Sequence, residues 1–243
     1  MEVVKPTSSS VEDYVKVIYA YTEWQDKPIN SSQLATRLGV ANSSVSEMVR
    51  KLKDLGLVDH QPYSSITLTS QGLSLALAMV RRHRLLETYL AQELGYRWDQ
   101  VHDEAELLEH AVSDTFIERL SEKLGHPTRD PHGDPIPGPD GKINLPQAHR
   151  LVELDAGHRG EIIRISDENP QLLRYLDEER IELDAAVEVV GRKPFGGSLI
   201  VRLGDSAQHR ELDLSDEIGE ALWVQDVGVH DGCTVDEGSA PTR

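Results

Sequence analysis

The chain contains a single cysteine, Cys233, which excludes an intrachain disulfide and a thiolate cluster. It also lacks a long apolar segment. The longest run, residues 73–80, is interrupted by Ser74 and stops at a basic stretch, so it is too short to span a bilayer. The first ten residues are polar and lack the apolar core of a signal peptide. We therefore expect a cytoplasmic protein that does not associate with membranes.

Basic residues are scarce: 25 Lys and Arg stand against 42 Asp and Glu, a formal net charge of −17. The excess is uneven. From Leu151 onward there are 21 acidic and 9 basic residues (net −12), which leaves 21 and 16 (net −5) in the first 150. A nucleic-acid surface would have to be local, and a neutralising cation would help it. The length allows one large domain or two to three small ones.

The N-terminal part has the pattern of a helix-turn-helix. Residues 11–24 carry apolar side chains at helical spacing. Residues 30–39 open with a capping-box sequence and close on a glycine, and a further helix begins at Asn42 or Ser43 and ends at Gly56. Two short capped helices joined by a tight turn predict a helix-turn-helix.

Two short alternating β stretches, residues 57–60 and 66–69, flank a polar turn through Pro62 and predict a hairpin. Together with the helix-turn-helix this indicates a winged helix. The outer face of its second helix carries hydroxyl and charged groups suited to phosphate contacts. The candidate DNA-binding residues are Ser43, Ser44, Ser46, Glu47, Arg50 and Lys51. The alternative is an ordinary polar surface helix, but the winged-helix context favours DNA.

The stretch between His102 and His110 is rich in metal-ligand residue types. Read as a helix, it places Glu106, Glu109 and His110 at i, i+3 and i+4 on one face, with His102 one turn earlier. Carboxylates and imidazoles pointing the same way suit a divalent metal. The alternative is a solvated, charged helix face.

A long helix is predicted upstream, from Thr69 or Ser70 to about Leu94. It carries His83 and Glu87 at i, i+4, and this second pair favours the metal interpretation. Apolar residues left over on such paired helices usually bury a dimer seam, and a dimer suits DNA with two half-sites.

The character of the chain changes after residue 125. Residues 126–145 are rich in Pro and Gly and cannot form a helix or a central strand, so we interpret them as a linker. Residues 160–165, 186–190, 198–203 and 222–224 are predicted strands, with a short helix at 170–179. A unit of about 75 residues with short strands suggests a small SH3-like β-barrel.

These parts predict an α+β protein with four segments. They are a winged-helix DNA-binding domain (1–74), an all-helical metal-binding and dimerisation domain ending in the Pro-rich linker (75–145), an SH3-like domain (146–226) and a disordered tail (227–243) that holds Cys233.

This order of parts resembles the diphtheria toxin repressor family, which includes iron-dependent repressors and manganese transport regulators. The most specific pieces are the Arg-His-Arg-Leu-Leu-Glu run at 82–87, the stretch 101–113, and Asp-Pro-Ile-Pro-Gly at 134–138. The resemblance covers residues 8–226 and identifies the third domain as FeoA-like. It implies a homodimer that binds double-stranded operator DNA, with no small organic substrate.

The resemblance also implies two metal sites per subunit. The primary set falls on Asp13, Glu106, Glu109 and His110. The ancillary set falls on His83, Glu87 and His102, completed by Glu168 and Gln171 from the SH3-like domain.

Two positions bear on the choice of metal. Iron-sensing members carry methionine where Asp13 stands and cysteine where Glu106 stands, and carboxylates suit manganese better than sulfur does. Compact two-domain manganese regulators carry an acid where this chain has Lys16, which cannot bind a metal while protonated. We therefore expect Mn(II) at the primary site without their closely paired metal arrangement, and a second ion at the third-domain ligands.

The predicted function is a Mn(II)-activated transcriptional repressor of metal-uptake genes, not an enzyme. One alternative is an Fe(II)-dependent repressor of the same family. Another is a metal-dependent hydrolase whose ion activates water, but a winged helix has no evident role in hydrolysis. A third is a winged-helix regulator whose charged helices are merely structural.

Overall fold

The computed structural model describes residues 8–25, 27–61, 64–204 and 208–226. The predicted tail, its Cys233 and the predicted turn at Pro62 lie outside these residues. The described chain forms two compact units. The first contains the residues up to Leu86 together with Ala105–Thr128 and Ile136–Ile143, and the second contains Glu87–Glu104, Arg129–Pro135 and the residues from Asn144 onward.

The first unit begins with the predicted winged helix. Its elements are α1 (Ser9–Glu23), α2 (Ser31–Leu38), α3 (Asn42–Asp54), β1 (Val58–Asp59) and β2 (Thr67–Leu68). Both bonds of the capping box between Asn30 and Gln33 are present, and Gly39 ends α2 in the left-handed region at φ 64°. The two strands pair antiparallel. The fully buried side chains of Val15, Leu34 and Ile66 lie in the core that these helices and strands share.

The helices that follow are α4 (Ser70–Leu94), α5 (Val101–Leu108) and α6 (Asp114–Lys123). The Thr69 hydroxyl accepts a hydrogen bond from the Gly72 N–H and caps α4. Any side chain at Gly72 would collide with the Leu57 carbonyl, since a Cβ would lie 1.9 Å from its oxygen. This glycine therefore lets the start of α4 pack directly against the backbone that leads into β1.

The predicted helix around residues 102–110 ends earlier than expected. α5 stops at Leu108, so Glu109 and His110 lie in the following turn. The Glu109 N–H still bonds to the Ala105 carbonyl, but the Ala111 N–H bonds to the Leu108 carbonyl at 2.9 Å, which tightens the last turn. Placing these two ligands on the helix itself was wrong. Glu109 nevertheless keeps its helical register with Ala105.

The second unit contains a six-stranded antiparallel sheet with the strand order β3-β8-β4-β5-β6-β7. The strands are β3 (His149–Arg150), β4 (Arg159–Ile165), β5 (Ala186–Arg192), β6 (Leu199–Gly204), β7 (His209–Leu214) and β8 (Leu222–Asp226), with helices α7 (Pro170–Glu178) and α8 (Asp216–Ala221). Strand β7 was missed by the sequence analysis, because most of its side chains are charged and exposed at the sheet edge. The other predicted strands and the helix with Pro170 in its first turn are confirmed.

The Pro- and Gly-rich segment contains no helix and no strand beyond an isolated bridge between Arg129 and Pro135, and part of it is held in place by hydrogen bonds. In the second unit, Asp130 Oδ1 accepts hydrogen bonds from the N–H groups of His132 (2.8 Å) and Asp134 (3.0 Å). The His132 carbonyl accepts from the Ile165 N–H of β4 at 2.9 Å. Gly133, at φ +92°, is the residue of closest approach, since a Cβ there would lie 2.1 Å from the Ile163 oxygen. Residues 130–134 are therefore fixed on the sheet.

Candidate metal centres

The first unit brings the four predicted primary ligands together. We call Asp13, Glu106, Glu109 and His110 the primary cluster. His110 Nε2 lies 2.7 Å from Asp13 Oδ1 and 3.5 Å from Glu109 Oε1. Asp13, Glu109 and His110 each offer a ligand atom within 4.8 Å of the others. Glu106 joins through Lys16, whose Nζ lies 2.6 Å from Glu106 Oε1 and 2.5 Å from Glu109 Oε1.

Helix α1 packs its apolar face into the winged-helix core and carries Asp13 of the primary cluster beside that face. Val11, Val15 and Ile18 pack into the winged-helix core. Asp13 projects beside them and reaches His110. At the end of α1, Glu23 forms a buried ion pair with Arg84 of α4 at 2.5 Å. The helix that supports the DNA-binding core therefore also carries a candidate metal ligand.

Glu109 is the most buried member of the primary cluster, with no exposed side-chain surface. Its Oε2 lies 2.6 Å from His83 Nδ1, and its Oε1 lies next to Lys16. Burial alone would raise the pKa of Glu109, but His83 and Lys16 outweigh it and lower the pKa below its usual value. In turn, burial would lower the pKa of Lys16, but Glu109 and Glu106 raise it above its usual value. The carboxylate and the ammonium are therefore both charged.

His110 is held from both sides of its ring. Nδ1 lies 2.8 Å from Glu12 Oε2, while Nε2 faces Asp13. Burial acts to lower the pKa of His110, but the two carboxylates raise it. A carboxylate on the far nitrogen is the usual orienting partner of a metal-binding histidine. Sequence reasoning missed Glu12, although adjacent acids in the first turn of α1 were the available signal.

The second unit gathers another cluster around Glu87, which is 1% exposed. His102 Nδ1 lies 2.9 Å from Asp167 Oδ2 and 3.5 Å from Glu87 Oε1. Burial acts to lower the pKa of His102, but hydrogen bonds to Asp167 and Glu87 raise it to about 11. Burial would raise the pKa of Asp167, yet His102 and the nearby cations hold it well below its usual range. Predicted Glu87 and His102 are thus brought together, with Asp167 as an unpredicted partner.

Two further residues of this cluster lie in the segment 130–134, which we call the ordered loop because hydrogen bonds fix it on the sheet. Asp130 and His132 are buried, and each offers a ligand atom within 4.8 Å of Glu87. His132 Nε2 donates to the Trp98 carbonyl at 2.8 Å, whereas Nδ1 is buried and has no hydrogen-bond partner among the described residues. A ring anchored on a carbonyl through one nitrogen, with the other aimed at carboxylates, fits a metal ligand. The closely spaced Asp130, His132 and Asp134 were the missed signal.

The predicted third-domain pair is placed differently from its neighbour Asp167. Glu168 lines the cavity that also exposes His102, Asp167 and Trp98. Gln171 is exposed in the first turn of α7, where its N–H donates to the Asn169 side chain at 3.0 Å. In this segment Asp167 is the residue that contacts His102. The assignment of Glu168 and Gln171 as ligands stays a prediction, as does that of His83, whose Nδ1 lies 2.6 Å from Glu109 Oε2.

Both clusters fit a hard or borderline divalent cation. Within the described residues their donors are carboxylate oxygens and imidazole nitrogens, without sulfur. Such donor sets suit Mn(II) and other first-row ions of its kind. We call Glu87, His102, Asp130, His132 and Asp167 the second cluster.

The candidate DNA-binding face is presented to solvent. All six predicted residues on α3 are exposed. Arg50 lines a shallow cleft together with Lys53 and His60, and Lys53 Nζ donates to the His60 carbonyl at 2.9 Å. Basic groups beside an exposed helix are suited to a phosphate backbone. Among the helices described, none is long and apolar enough to cross a membrane.

Comparison with known families matches three successive segments. Residues 6–66 match the N-terminal DNA-binding domain of the iron-dependent repressors, residues 69–138 match their metal-binding and dimerisation domain, and residues 149–226 match the FeoA domain. The predicted α+β fold class is therefore confirmed, with a helix-turn-helix domain, a helical dimerisation domain and an SH3-like β domain.

Individual proteins of this family are similar to this chain over most of its length. The diphtheria toxin repressor of Corynebacterium glutamicum is 32% identical over 92% of this chain and 99% of its own length. The structure of a manganese-dependent transcriptional repressor in complex with manganese is 50% identical, with a TM-score of 0.85 over 89% of this chain and 100% of that one. The manganese regulator SloR is 31% identical, with a TM-score of 0.73 over 92% and 100%. The chain belongs to the diphtheria toxin repressor family of metal-dependent transcriptional repressors.

Proposed function

We propose that this protein represses metal-uptake genes when Mn(II) binds to its primary cluster. The observation that carries the proposal is the convergence of Asp13, Glu106, Glu109 and His110 in the first unit. Three carboxylates and one imidazole form a donor set of the kind that Mn(II) accepts. The 50% identical repressor whose structure contains manganese supports the same choice of metal.

The choice of Mn(II) over Fe(II) rests on Asp13 and Glu106. Both present oxygen, whereas sulfur at these places would favour softer, later divalent ions. A relative named as an iron-dependent repressor, IdeR of Mycobacterium bovis, is also similar, with 32% identity over 90% of this chain. Fe(II) is therefore the second candidate, and the test below includes it.

The primary cluster can control DNA binding because α1 is part of both the winged-helix core and the primary cluster. Its apolar face packs in the winged-helix core, and its Asp13 faces His110. A bound divalent ion supplies a hard positive charge that carboxylates and imidazole can share. Asp13, Glu109 and His110 would hold this ion, so that Asp13 would be tied to the turn after α5. This would fix the orientation of α3 against the helices of the metal-binding and dimerisation domain. In a homodimer, two α3 helices so held would enter successive major grooves of an operator.

The second cluster is proposed to hold a further ion within the second unit. Glu87 and His102 come from the helical segments, Asp130 and His132 from the ordered loop, and Asp167 from the end of β4. These residues would bind the ion and, through it, hold the helical segments and the loop on the sheet domain. Each subunit would then carry two metal ions.

The direct test is a mobility-shift assay on DNA upstream of metal-transporter genes from the source genome. Wild-type protein should shift the DNA with Mn(II), less well with Fe(II) under anaerobic conditions, and not after chelation. Asp13→Asn should lose the shift, whereas Glu122→Gln, an exposed residue on α6, should keep it. Equal shifts with and without chelator would contradict metal activation, and stronger shifts with Fe(II) would replace Mn(II) by iron.

A further inference from the structure

Lys16 places an ammonium group inside the primary cluster. Its Nζ lies 2.6 Å from Glu106 Oε1 and 2.5 Å from Glu109 Oε1, and its side chain is 9% exposed. Burying a lysine charge is costly unless carboxylates compensate for it, and here two proposed metal ligands do so. Lys16 is therefore a buried ion-pair partner of the primary cluster and not a surface group that happens to lie near it.

We propose that Lys16 acts as an internal cation that limits the primary cluster to one metal ion and weakens the affinity for that ion. This inference rests on the proposed function, because it assumes that Glu106 and Glu109 bind metal.

The weakening follows from competition for carboxylate oxygens. Glu109 already has both oxygens engaged, Oε1 by Lys16 and Oε2 by His83 Nδ1 at 2.6 Å. Glu106 presents Oε1 to the same ammonium. Lys16 has to release or share these oxygens before both carboxylates can turn to a metal ion. The ion pairs lost in that exchange subtract from the apparent affinity.

The limit to one ion follows from where the ammonium lies. A second cation bridged by Glu106 and Glu109 would need the position that Nζ holds, and an ammonium repels any cation beside it. Position 16 is one helical turn after Asp13, so both residues project from the same side of α1. A carboxylate at position 16 would face the same site and add a ligand in place of the repulsive charge.

The test is Mn(II) binding to the full-length protein without DNA, measured by calorimetry for affinity and by elemental analysis for stoichiometry. The variants are Lys16→Gln, Lys16→Glu and the charge-conserving Lys16→Arg. The matched control is Lys142→Gln, which removes the same charge from an exposed pair with Asp140. Thermal melting with and without Mn(II) reports folding.

The Kd of Lys16→Gln for Mn(II) at the primary cluster should be at least about tenfold lower than that of wild type, because one competing positive charge is gone. Lys16→Glu should bind one more ion per subunit than wild type. Lys16→Arg and Lys142→Gln should keep the wild-type stoichiometry, and Lys142→Gln the wild-type affinity. If Lys16→Gln does not fold, the added ion in Lys16→Glu, measured in the presence of Mn(II), decides.

Two results would overturn the inference. One is a folded Lys16→Gln whose affinity equals or falls below that of wild type, because Lys16 would then organise the carboxylates and not compete for them. The other is a Lys16→Glu variant that binds no additional ion. Failure of the proposed function looks different, since wild type itself would then bind no Mn(II) at the primary cluster.

Discussion

The two metal-ligand clusters differ in how their buried carboxylates are neutralised. In the primary cluster, Glu109 and Glu106 face the ammonium of Lys16. In the second cluster, Glu87 and Asp167 face the imidazole of His102, whose pKa is raised to about 11. A lysine must move aside to admit a metal, whereas an imidazole needs only to lose its proton and can then bind the metal itself. Metal binding to the primary cluster should therefore depend on displacement of Lys16, and metal binding to the second cluster should depend on pH.

The largest expected effect separates the two clusters by mutation. Glu106→Ala and His110→Ala should each weaken Mn(II)-dependent operator binding by about 100-fold or more, because loss of a ligand should cost at least as much as loss of a group that orients one. The ion of the second cluster should remain, so stoichiometry should fall by one. Fluorescence anisotropy on operator DNA and elemental analysis measure these quantities. Full operator binding by either variant would contradict the primary assignment.

The next effect concerns the choice of metal. Asp13→Met combined with Glu106→Cys should raise the response to Fe(II) or Co(II) relative to Mn(II), because sulfur ligands favour softer ions. The readout is the order of metal potencies in the DNA-binding assay. An unchanged order in a folded double variant would mean that geometry or outer groups set the selectivity.

The residues of the second cluster can be ranked by paired variants. Asp130→Ala with His132→Ala should remove one ion per subunit and weaken metal activation about tenfold, because both side chains are buried beside Glu87. Glu168→Ala with Gln171→Ala should have the smaller effect, because Gln171 is exposed. Elemental analysis of the two double variants and the wild type decides between them. The reverse ranking would support the assignment of Glu168 and Gln171 as the main third-domain ligands.

A smaller effect is expected from the residue that orients His110. Glu12→Gln should raise the Kd for the primary ion about tenfold, since the carboxylate on Nδ1 strengthens the imidazole as a ligand. Nitrogen NMR of the His110 ring should show a changed tautomer balance, which a purely structural role would not produce. Glu122→Gln on α6 is the matched control.

A further effect, which stands outside this order, is the pH dependence of Mn(II) binding. The pKa of His102 is raised from its usual 6.5 to about 11, so it is protonated at neutral pH and must lose that proton to bind a metal. Its ion pairs stabilise the metal-free protein below pH 6.5, and that contribution fades as pH rises through 11. Mn(II) affinity of the second cluster should therefore increase from pH 6.5 to 8.0. Calorimetry on Glu106→Ala, which isolates this cluster, measures it, and a flat profile would contradict the account.

Local pattern predicted most of the fold. The capping box at Asn30, the winged helix and the helices α1 and α5 follow from spacing. The ligand role of Asp13 came from the family resemblance and stays a prediction, although its side chain lies 2.7 Å from His110. What spacing could not predict depends on distant contacts. Asp130 and His132 reach Glu87 only because their loop is bonded to Ile165 of β4.

Other differences have similar causes. Asp167, not its neighbour Glu168, contacts His102, and the side of a strand end on which a residue lies is decided by the sheet. The charged edge strand β7 alternates only at Leu212 and Leu214, and this pattern is too short to predict a strand. The contacts of Lys16 with Glu106 and Glu109 join segments ninety or more residues apart, which no local pattern encodes.

The most direct measurement is anomalous diffraction at the manganese absorption edge from crystals grown with Mn(II). The account predicts an anomalous peak bounded by Asp13, Glu106, Glu109 and His110, with Lys16 drawn away from the two glutamates. A second peak is expected among the residues of the second cluster. The absence of a peak at the primary cluster, at a Mn(II) concentration that activates operator binding, would contradict the central claim.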